Sequence, residues 1–453
     1  MSVTDLHPAQ ASHAHRMHRL TQLPLYLGIV LLLCLSHVLG NRTLISISLF
    51  AFLVAAVAVS YRNMDLGMLL FFLPWSPLLK QQVGDTSFYT IALVALCFAA
   101  LFKSHFTVRR YQVILPMLLL ASTLLAKMLQ GFSLDRSYLL FLIMLALFPS
   151  IMANELAGGE QFFDMSLLFA AGIISAALSA RFVSGYPNIA RFINVASWAH
   201  VTRLSGYYGD ANFYSAQINA CIACLLLVLA KEKSIGLRSG VIALLVVLLY
   251  CGLLSASKSF VIVGACEFCA WVLLMLASGK NGLSSFSLLI AAVAVLLFVL
   301  STSAFQNLLR ILDNRFSYAA SLSELTTGRS DVWLDYWNLI IHDLKIALLG
   351  EGFTNVTLGI LHGKASHNTL IQCMFQFGLI GTSLMIAWFI CLFKSTLHHI
   401  PGKLNRMAFA LMFLGIFLPW LGLDYLFFDE FFLMPCLAVK GAIFFSDACS
   451  KGD

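Results

Sequence analysis

Long apolar runs, separated by short polar connections, are the feature that most constrains this chain. Apolar residues make up 60% of its 453 positions and charged residues only 11%, against about 25% in an average soluble domain. A water-soluble fold of this length has too little interior for so many apolar side chains. Because a membrane-crossing helix needs about 20 apolar residues, the composition predicts an all-α, polytopic transmembrane helix bundle of roughly 12 to 14 spans.

Fourteen apolar runs are candidates for these spans. The run at 66–79 is short and contains Pro74 and Pro77, which predicts a re-entrant or broken segment. The other candidates are 23–40, 43–60, 88–102, 111–130, 138–153, 165–180, 211–230, 240–254, 259–278, 286–303, 367–393, 404–421 and 431–445.

Charged connections predict the orientation. The net charge of +7 comes from Lys and Arg in short loops, which indicates membrane orientation and not nucleic-acid binding. One set of alternate loops is clearly more basic, so that side and both termini are expected in the cytoplasm. The predicted organisation is a cytoplasmic tail (1–22), a transmembrane bundle (23–303) with an extracytoplasmic loop at 181–210, a large extracytoplasmic loop (304–366), C-terminal transmembrane helices (367–446) and a cytoplasmic tail (447–453).

The large loop has the pattern of amphipathic helices. Trp333, Leu334, Trp337 and Ile341 recur at helical spacing between charged residues, which predicts one or two helices lying on the outer face of the membrane. The simplest interpretation of Trp333 and Trp337 is an interfacial anchor, although aromatic rings also stack on sugars.

Four polar clusters fall on the predicted outer side. They are Arg203 to Asn212, Ser255 to Ser259, Thr327 to Trp333 with Arg315 upstream, and Ser366 to Asn368. Three of these clusters open a span, so the positive ends of three helix dipoles are directed outward. Backbone N–H groups at such helix starts favour anions.

Basic residues in these clusters predict an anion site. Arg203 and Arg329 can clamp phosphate with two hydrogen bonds, and Lys258 adds a point charge. A polyprenyl diphosphate would place its tail in lipid and its head group there. His367 could accept a proton from an attacking hydroxyl near neutral pH, and the cations would stabilise the leaving group.

The hypothesised reaction is therefore an inverting sugar transfer from a lipid diphosphate onto an acceptor hydroxyl. The sequence contains no DxD motif and no clustered ligand set, which predicts a reaction that needs neither a metal nor another cofactor.

Each candidate also has a structural interpretation. Arg203 could anchor a loop to lipid phosphates, Lys258 could snorkel, and Arg329 could pair with Asp331 or Asp335. His367 could be a backbone-bonded residue at a helix start.

For the neighbouring polar residues, a structural role is favoured over a functional one. Asp210 is predicted to be an N-cap, with acceptor binding as the alternative. Asn212 opens a polar stripe with Ser215 and Asn219. Asn368 opens another with Gln372 and Gln376, and this second stripe is interpreted as interhelical contacts. Glu267 falls near mid-membrane, where it would pair with a partner or be protonated.

At these residues the chain resembles the O-antigen ligase and O-antigen polymerase superfamily. The matching pieces are Arg203 to Asn212, Ser255 to Lys258, Gly328 to Trp333, Gly350 to Gly352, His367–Asn368 and Gly378 to Gly381, which together span about two-fifths of the chain. Their order and common sidedness carry the resemblance.

The resemblance implies a GT-C-like, metal-independent glycosyltransferase of the bacterial inner membrane, acting on its periplasmic face. It implies that Arg203, Lys258 and Arg329 contact the diphosphate and that His367 is catalytic. Asp210, Asn212, Arg315, Asn368 and Trp333 would bind the acceptor or support the site. Lys258 stands where the family usually has Arg, which keeps the charge but removes the two-pronged contact.

The leading hypothesis is a polymerase that joins glycan repeat units carried on undecaprenyl diphosphate. The close alternative is an O-antigen ligase, which transfers the glycan onto lipid A core. An alternative of another class is a flippase or other transporter, but transporters usually show internal repeats and midplane polar sites. The expected partners are the lipid-linked donor, a glycan or lipid A core acceptor and the bilayer, with a chain-length regulator as a further candidate and no nucleic acid.

Overall fold

The structure is a computed structural model and is helical throughout the ranges it describes. These ranges are 22–63, 66–80, 87–103, 108–130, 136–153, 160–193, 203–278, 328–352, 365–397, 402–426 and 428–446, together with the single positions 306, 310, 313 and 326. Within them the only β pairing is an isolated bridge between Lys80 and Ser87. The predicted all-α class is confirmed for this part of the chain.

Sixteen α-helices form the described architecture. In chain order they are α1 (Leu23–Leu39), α2 (Arg42–Asn63), α3 (Gly67–Phe72), α4 (Phe88–Lys103), α5 (Arg110–Gln130), α6 (Arg136–Ala153), α7 (Glu160–Val183), α8 (Pro187–Ile193), α9 (Ala211–Lys231), α10 (Ile235–Leu254), α11 (Lys258–Ala277), α12 (Arg329–His342), α13 (Leu344–Leu349), α14 (Thr369–Leu397), α15 (Lys403–Phe417) and α16 (Glu430–Ser446).

Membrane-compatible length and composition recur along the bundle. Eight of the described helices are long and apolar enough to cross a membrane, and four further apolar segments are shorter. Large apolar side chains point outward, including Leu31 at 69% exposure and Met128 at 76%, as lipid-facing residues do. These features make the protein a multi-pass helical membrane protein. The span predicted at 286–303 lies outside the described residues.

The proline-containing run is broken, as predicted. After α3 the chain continues as a 3-10 helix over Leu73–Leu79, with Pro74 in its first turn and Pro77 inside it. Proline removes a backbone donor and obstructs the α-helical turn before it. A Cβ on Gly172 of α7 would lie 2.1 Å from the carbonyl oxygen of Phe71, so the glycine permits close packing of α7 on α3.

Helix α9 is the centre of the bundle. It packs against α7, α10, α11, α15 and α16, and 17 of its 21 residues are buried. Its polar side chains Ser215, Gln217 and Asn219 therefore lie inside the protein. The start of α9 lies beside the starts of α11 and α14, and we call this the site end of the bundle.

Two elements refine the predicted loop boundaries. The loop expected to begin at 181 is still helical there, because α7 continues to Val183, and the short helix α8 follows. In the large loop, α12 and α13 confirm the predicted helices, and α12 has two apolar faces. Val332, Tyr336 and Ile340 are buried against α14, while Leu334, Trp337 and Ile341 are exposed.

Helix α14 is kinked where α13 meets it. Gly378 has φ 62° inside α14, and Gly350 after α13 has φ 76°. The N–H of Gly352 donates to the carbonyl of Gln376 at 2.9 Å, so the end of the α12–α13 segment is bonded directly to the kink. A Cβ at Gly350 would lie 2.4 Å from the backbone of Gln376, which explains the need for glycine.

Candidate functional site

The side-chain amide of Asn212 connects two of the predicted polar clusters. Its Oδ1 accepts hydrogen bonds from Arg203 Nη2 at 3.1 Å and from Ser257 Oγ at 2.9 Å. Arg203 also donates through Nε to the carbonyl of Ser255 at 2.8 Å. Arg203 is therefore held both by the start of α9 and by the turn before α11. Its contact with Ser255 joins residues that are 52 positions apart in the chain.

Asp210 caps α9, as predicted. Its Oδ1 accepts from the backbone N–H of Asn212 at 2.7 Å and from Asn212 Nδ2 at 2.9 Å. A carboxylate at this position satisfies free helix N–H groups and complements the positive end of the dipole. The same carboxylate acts electrostatically on Arg329 and His367, so the cap is also part of the site's charge.

Lys258 is the first residue of α11 and follows the turn that contacts Asn212. The turn is tight because Ala256 adopts φ 48°, a left-handed conformation that is unusual for alanine. Ser257 bonds to both Asn212 and Ser259 at 2.9 Å. Lys258 is half-buried, and its backbone position at the site end follows from the Ser257 contact.

Arg329 begins α12 and approaches the site from the large loop. Its Nη1 donates to the carbonyl of Gly422, after α15, at 2.6 Å. Burial lowers the pKa of Arg329, and the negative charge of Asp210 acts in the opposite direction. Arg329 remains a cation at any physiological pH, so α12 brings a permanent positive charge to Asp210.

His367 lies just before α14 in a left-handed backbone conformation, with φ 50°. The helix itself begins at Thr369, and Asn368 caps it by accepting from the N–H groups of Leu370 and Ile371. His367 therefore lies one residue before the residue that caps α14. Burial is the main cause that lowers the pKa of His367, followed by the charge of Arg329, whereas Asp210 raises it.

Two further contacts hold the segment around His367. Trp333 Nε1 donates to the carbonyl of Ser366 at 2.8 Å, and Asn368 Nδ2 donates to the carbonyl of Leu421 at 3.0 Å. Trp333 is thus a supporting contact between α12 and this segment. Asn368 connects the start of α14 to Leu421, which lies four residues after the end of α15.

The structure thus brings most of the predicted residues to the site end. Hydrogen bonds join the Arg203 and Ser257 clusters, and electrostatic interactions join Asp210, Arg329 and His367. Arg315 lies outside the described residues.

An acidic connection after α15 is the part that sequence reasoning missed. Asp424 and Asp429 lie in it, and Glu430 begins α16. Burial raises the pKa of Asp424 to about 7, and burial together with the charge of Glu430 raises the pKa of Asp429 to about 7. The sequence signal that could have identified this connection is the occurrence of three acidic residues within seven positions of an otherwise apolar region.

Glu430 belongs to a buried polar network beside the site. Its Oε1 accepts from Tyr208 Oη at 2.7 Å and from Gln217 Nε2 at 2.8 Å. Tyr208 lies two residues before Asp210 and also bonds to Ser76 at 2.9 Å. The network connects the Arg203–Asn212 segment to α16 and to the broken helix.

Glu267 is fully buried in α11, as the mid-membrane position predicts. Its two carboxyl oxygens have no hydrogen-bond partner among the residues that the structure describes. A Cβ at Gly415 of α15 would lie 2.5 Å from Glu267 Oε1, so glycine makes room for the carboxyl group.

The cysteines of α9 and α11 differ in burial. Cys221 and Cys224 are buried in the core, Cys266 is half-buried, and Cys269 is exposed on α11. Within the described ranges no group of three or more His, Cys, Asp or Glu side chains is placed to hold a metal ion.

The fold and the polar site end define an integral multi-pass helical membrane protein. No protein-family model and no curated protein matches the chain.

Proposed function

We propose that the protein is a membrane glycosyltransferase that uses a glycan carried on a polyprenyl diphosphate. The observation that carries the proposal is the shared electrostatic environment of Asp210, Arg329 and His367, next to the Arg203–Asn212–Ser257 hydrogen bonds. It supports a site in which fixed cations and one imidazole act on the same ligand.

Charge complementarity favours a diphosphate. Arg203 and Arg329 contribute two guanidinium groups near the carboxylate of Asp210, and Lys258 begins the adjoining helix α11. Guanidinium groups held by backbone carbonyls are already oriented, so little rotamer entropy is lost when an anion binds. The apolar helices below the site suit the lipid tail.

His367 is the proposed general base. A lowered pKa leaves the imidazole neutral at pH 7, and only the neutral form accepts a proton. The acceptor hydroxyl attacks the anomeric carbon, and its proton passes to His367. The bond from that carbon to the phosphate oxygen breaks, and the leaving lipid diphosphate takes the electron pair and is stabilised by the cations.

We propose glycan polymerisation as the overall reaction, on the strength of the resemblance to the O-antigen polymerase and ligase superfamily. The test uses the purified full chain in liposomes with an undecaprenyl-diphosphate-linked repeat unit and no ATP, with EDTA present. A ladder of longer lipid-linked glycans is the expected product.

Other products would point elsewhere. A single transfer that requires lipid A core would identify a ligase. Movement of the lipid across the bilayer without bond formation would identify a transporter and overturn the proposal.

A further inference from the structure

A polar cavity is lined by residues that the proposed catalytic site does not use. It has a volume of about 290 Å³ and lies among α1, α2 and α8. Its lining residues are His37, Gly40, Arg42, Ile45, Pro187, Asn188 and Arg191. None of these described lining residues is acidic, so two guanidinium groups share one concavity without a carboxylate in its wall.

The walls are held in place by the local structure. Helix α1 ends at Gly40 with φ 62°, and Asn188 Nδ2 donates to the carbonyl of Val38 at 3.1 Å. A Cβ at Gly40 would lie 2.7 Å from Asn188 Nδ2. The glycine therefore lets α8 lie directly against the turn from which Arg42 emerges.

The second arginine is positioned by aromatic packing. The guanidinium carbon of Arg191 lies 4.8 Å from the ring centre of Phe192, within cation–π range. The Phe192 ring in turn lies edge-on to His37, with ring centres 5.5 Å apart. Arg42 and Arg191 thus line a common space from two different elements, and an anion bound there would be attracted by both charges.

We propose that this cavity binds a phosphate group, carried by an anionic phospholipid headgroup. Guanidinium forks match phosphate oxygens. The volume lies at the lower limit of small-molecule pockets, about 300–1,000 Å³, which suits a headgroup and not an oligosaccharide. Leu39 is 58% exposed and Tyr186 is 51% exposed. They adjoin the lining residues Gly40 and Pro187, so apolar surface for acyl chains flanks the cavity.

The test uses the purified full chain in detergent with three separate probes: inorganic phosphate, phosphatidylglycerol and zwitterionic phosphatidylcholine. Thermal unfolding and native mass spectrometry measure binding. We expect phosphatidylglycerol to bind and raise Tm more than phosphatidylcholine does. Binding of inorganic phosphate as well would show that the phosphate group alone suffices, and no binding of either anion would overturn the proposal.

Variants locate the site. Arg42→Gln and Arg191→Gln should each weaken phosphatidylglycerol binding about tenfold, since each removes a charge-assisted contact. Arg181→Gln removes an exposed arginine of α7 that does not line the cavity and should bind normally. Should a Gln variant misfold, Arg42→Lys and Arg191→Lys keep the charge and should show a smaller loss. Equal binding by all variants, or an equal loss in Arg181→Gln, would contradict the assignment.

Discussion

Asn212→Asp is the sharpest test of the hydrogen-bonded site, because it changes charge without changing shape. The amide donates to Asp210 at 2.9 Å and accepts from Arg203 at 3.1 Å. An aspartate would repel the first group and attract the second. At an effective dielectric constant of about 20, each interaction is roughly 5–6 kcal/mol before solvent screening, and the two have opposite signs.

The expected result is a folded but weak enzyme. Because the two terms nearly cancel and both are screened at half-buried positions, the free energy of unfolding should change by about 1 kcal/mol or less. The positive charge of Arg203 would however be neutralised. Loss of one charge-assisted contact of about 1.5–3 kcal/mol should lower kcat/KM for the lipid-linked donor roughly 10- to 150-fold.

Two measurements separate this reasoning from a merely structural role. Thermal unfolding in detergent should show Asn212→Ala to be less stable by about 3 kcal/mol, since it removes three side-chain hydrogen bonds. The added carboxylate of Asn212→Asp should also raise the pKa of His367 and shift the acid limb of the kcat/KM profile to higher pH. The exposed Asn338→Asp is the matched control. Wild-type kcat/KM in folded Asn212→Asp would refute the role of Arg203.

Three further predictions concern single positions. Asparagine tolerates the left-handed backbone at position 367, and His367→Asn should lower kcat about 10²- to 10⁴-fold. The wild-type kcat/KM profile should have an acid limb with a midpoint below the ordinary histidine pKa of about 6.5. An equally active His367→Asn variant would exclude His367 as the base. The pKa of Asp429 is raised to about 7 in the folded protein, so the stability that its protonated form contributes is lost as pH rises from about 4 to 7. Asp429→Asn should therefore flatten the fall in Tm between pH 5 and pH 8. An unchanged dependence of Tm on pH would count against the raised pKa. Gly378→Ala would place a Cβ 2.4 Å from the backbone of Leu348 at φ 62° and should destabilise the folded protein by about 3 kcal/mol or more. The control Gly28→Ala in α1 meets nothing within 4 Å and should stabilise the protein by up to about 1 kcal/mol. Similar thermal stability of the two variants would contradict this reasoning.

The helices were predictable because apolar length is a local property of the chain. The run at 211–230 corresponds closely to α9, and the two prolines were enough to predict the break after α3. Helix boundaries that fall in polar segments were harder to predict from the sequence. Helix α10 begins at Ile235, five residues before the predicted 240. The prediction started later because Arg238 and Ser239 interrupt the apolar run.

The candidate site was predictable as a set of clusters but not as a set of contacts. The capping role of Asp210 could be predicted from its position directly before an apolar run. The hydrogen bond between Asn212 and Ser257 could not, because it depends on how α9 packs against α11. The approach of Gly350 to Gly378 likewise depends on two backbones that meet only after α13 docks on α14. Asp424 and Asp429 carried no motif, and their importance follows from burial alone.

Helix α12 carries both Arg329 and Trp333, one turn apart, and both residues act on the segment that contains His367. While it is docked, its guanidinium lowers the basicity of the imidazole and its indole restrains the preceding carbonyl. A change in the position of this one helix would therefore alter both the charge next to the imidazole and the support of its backbone.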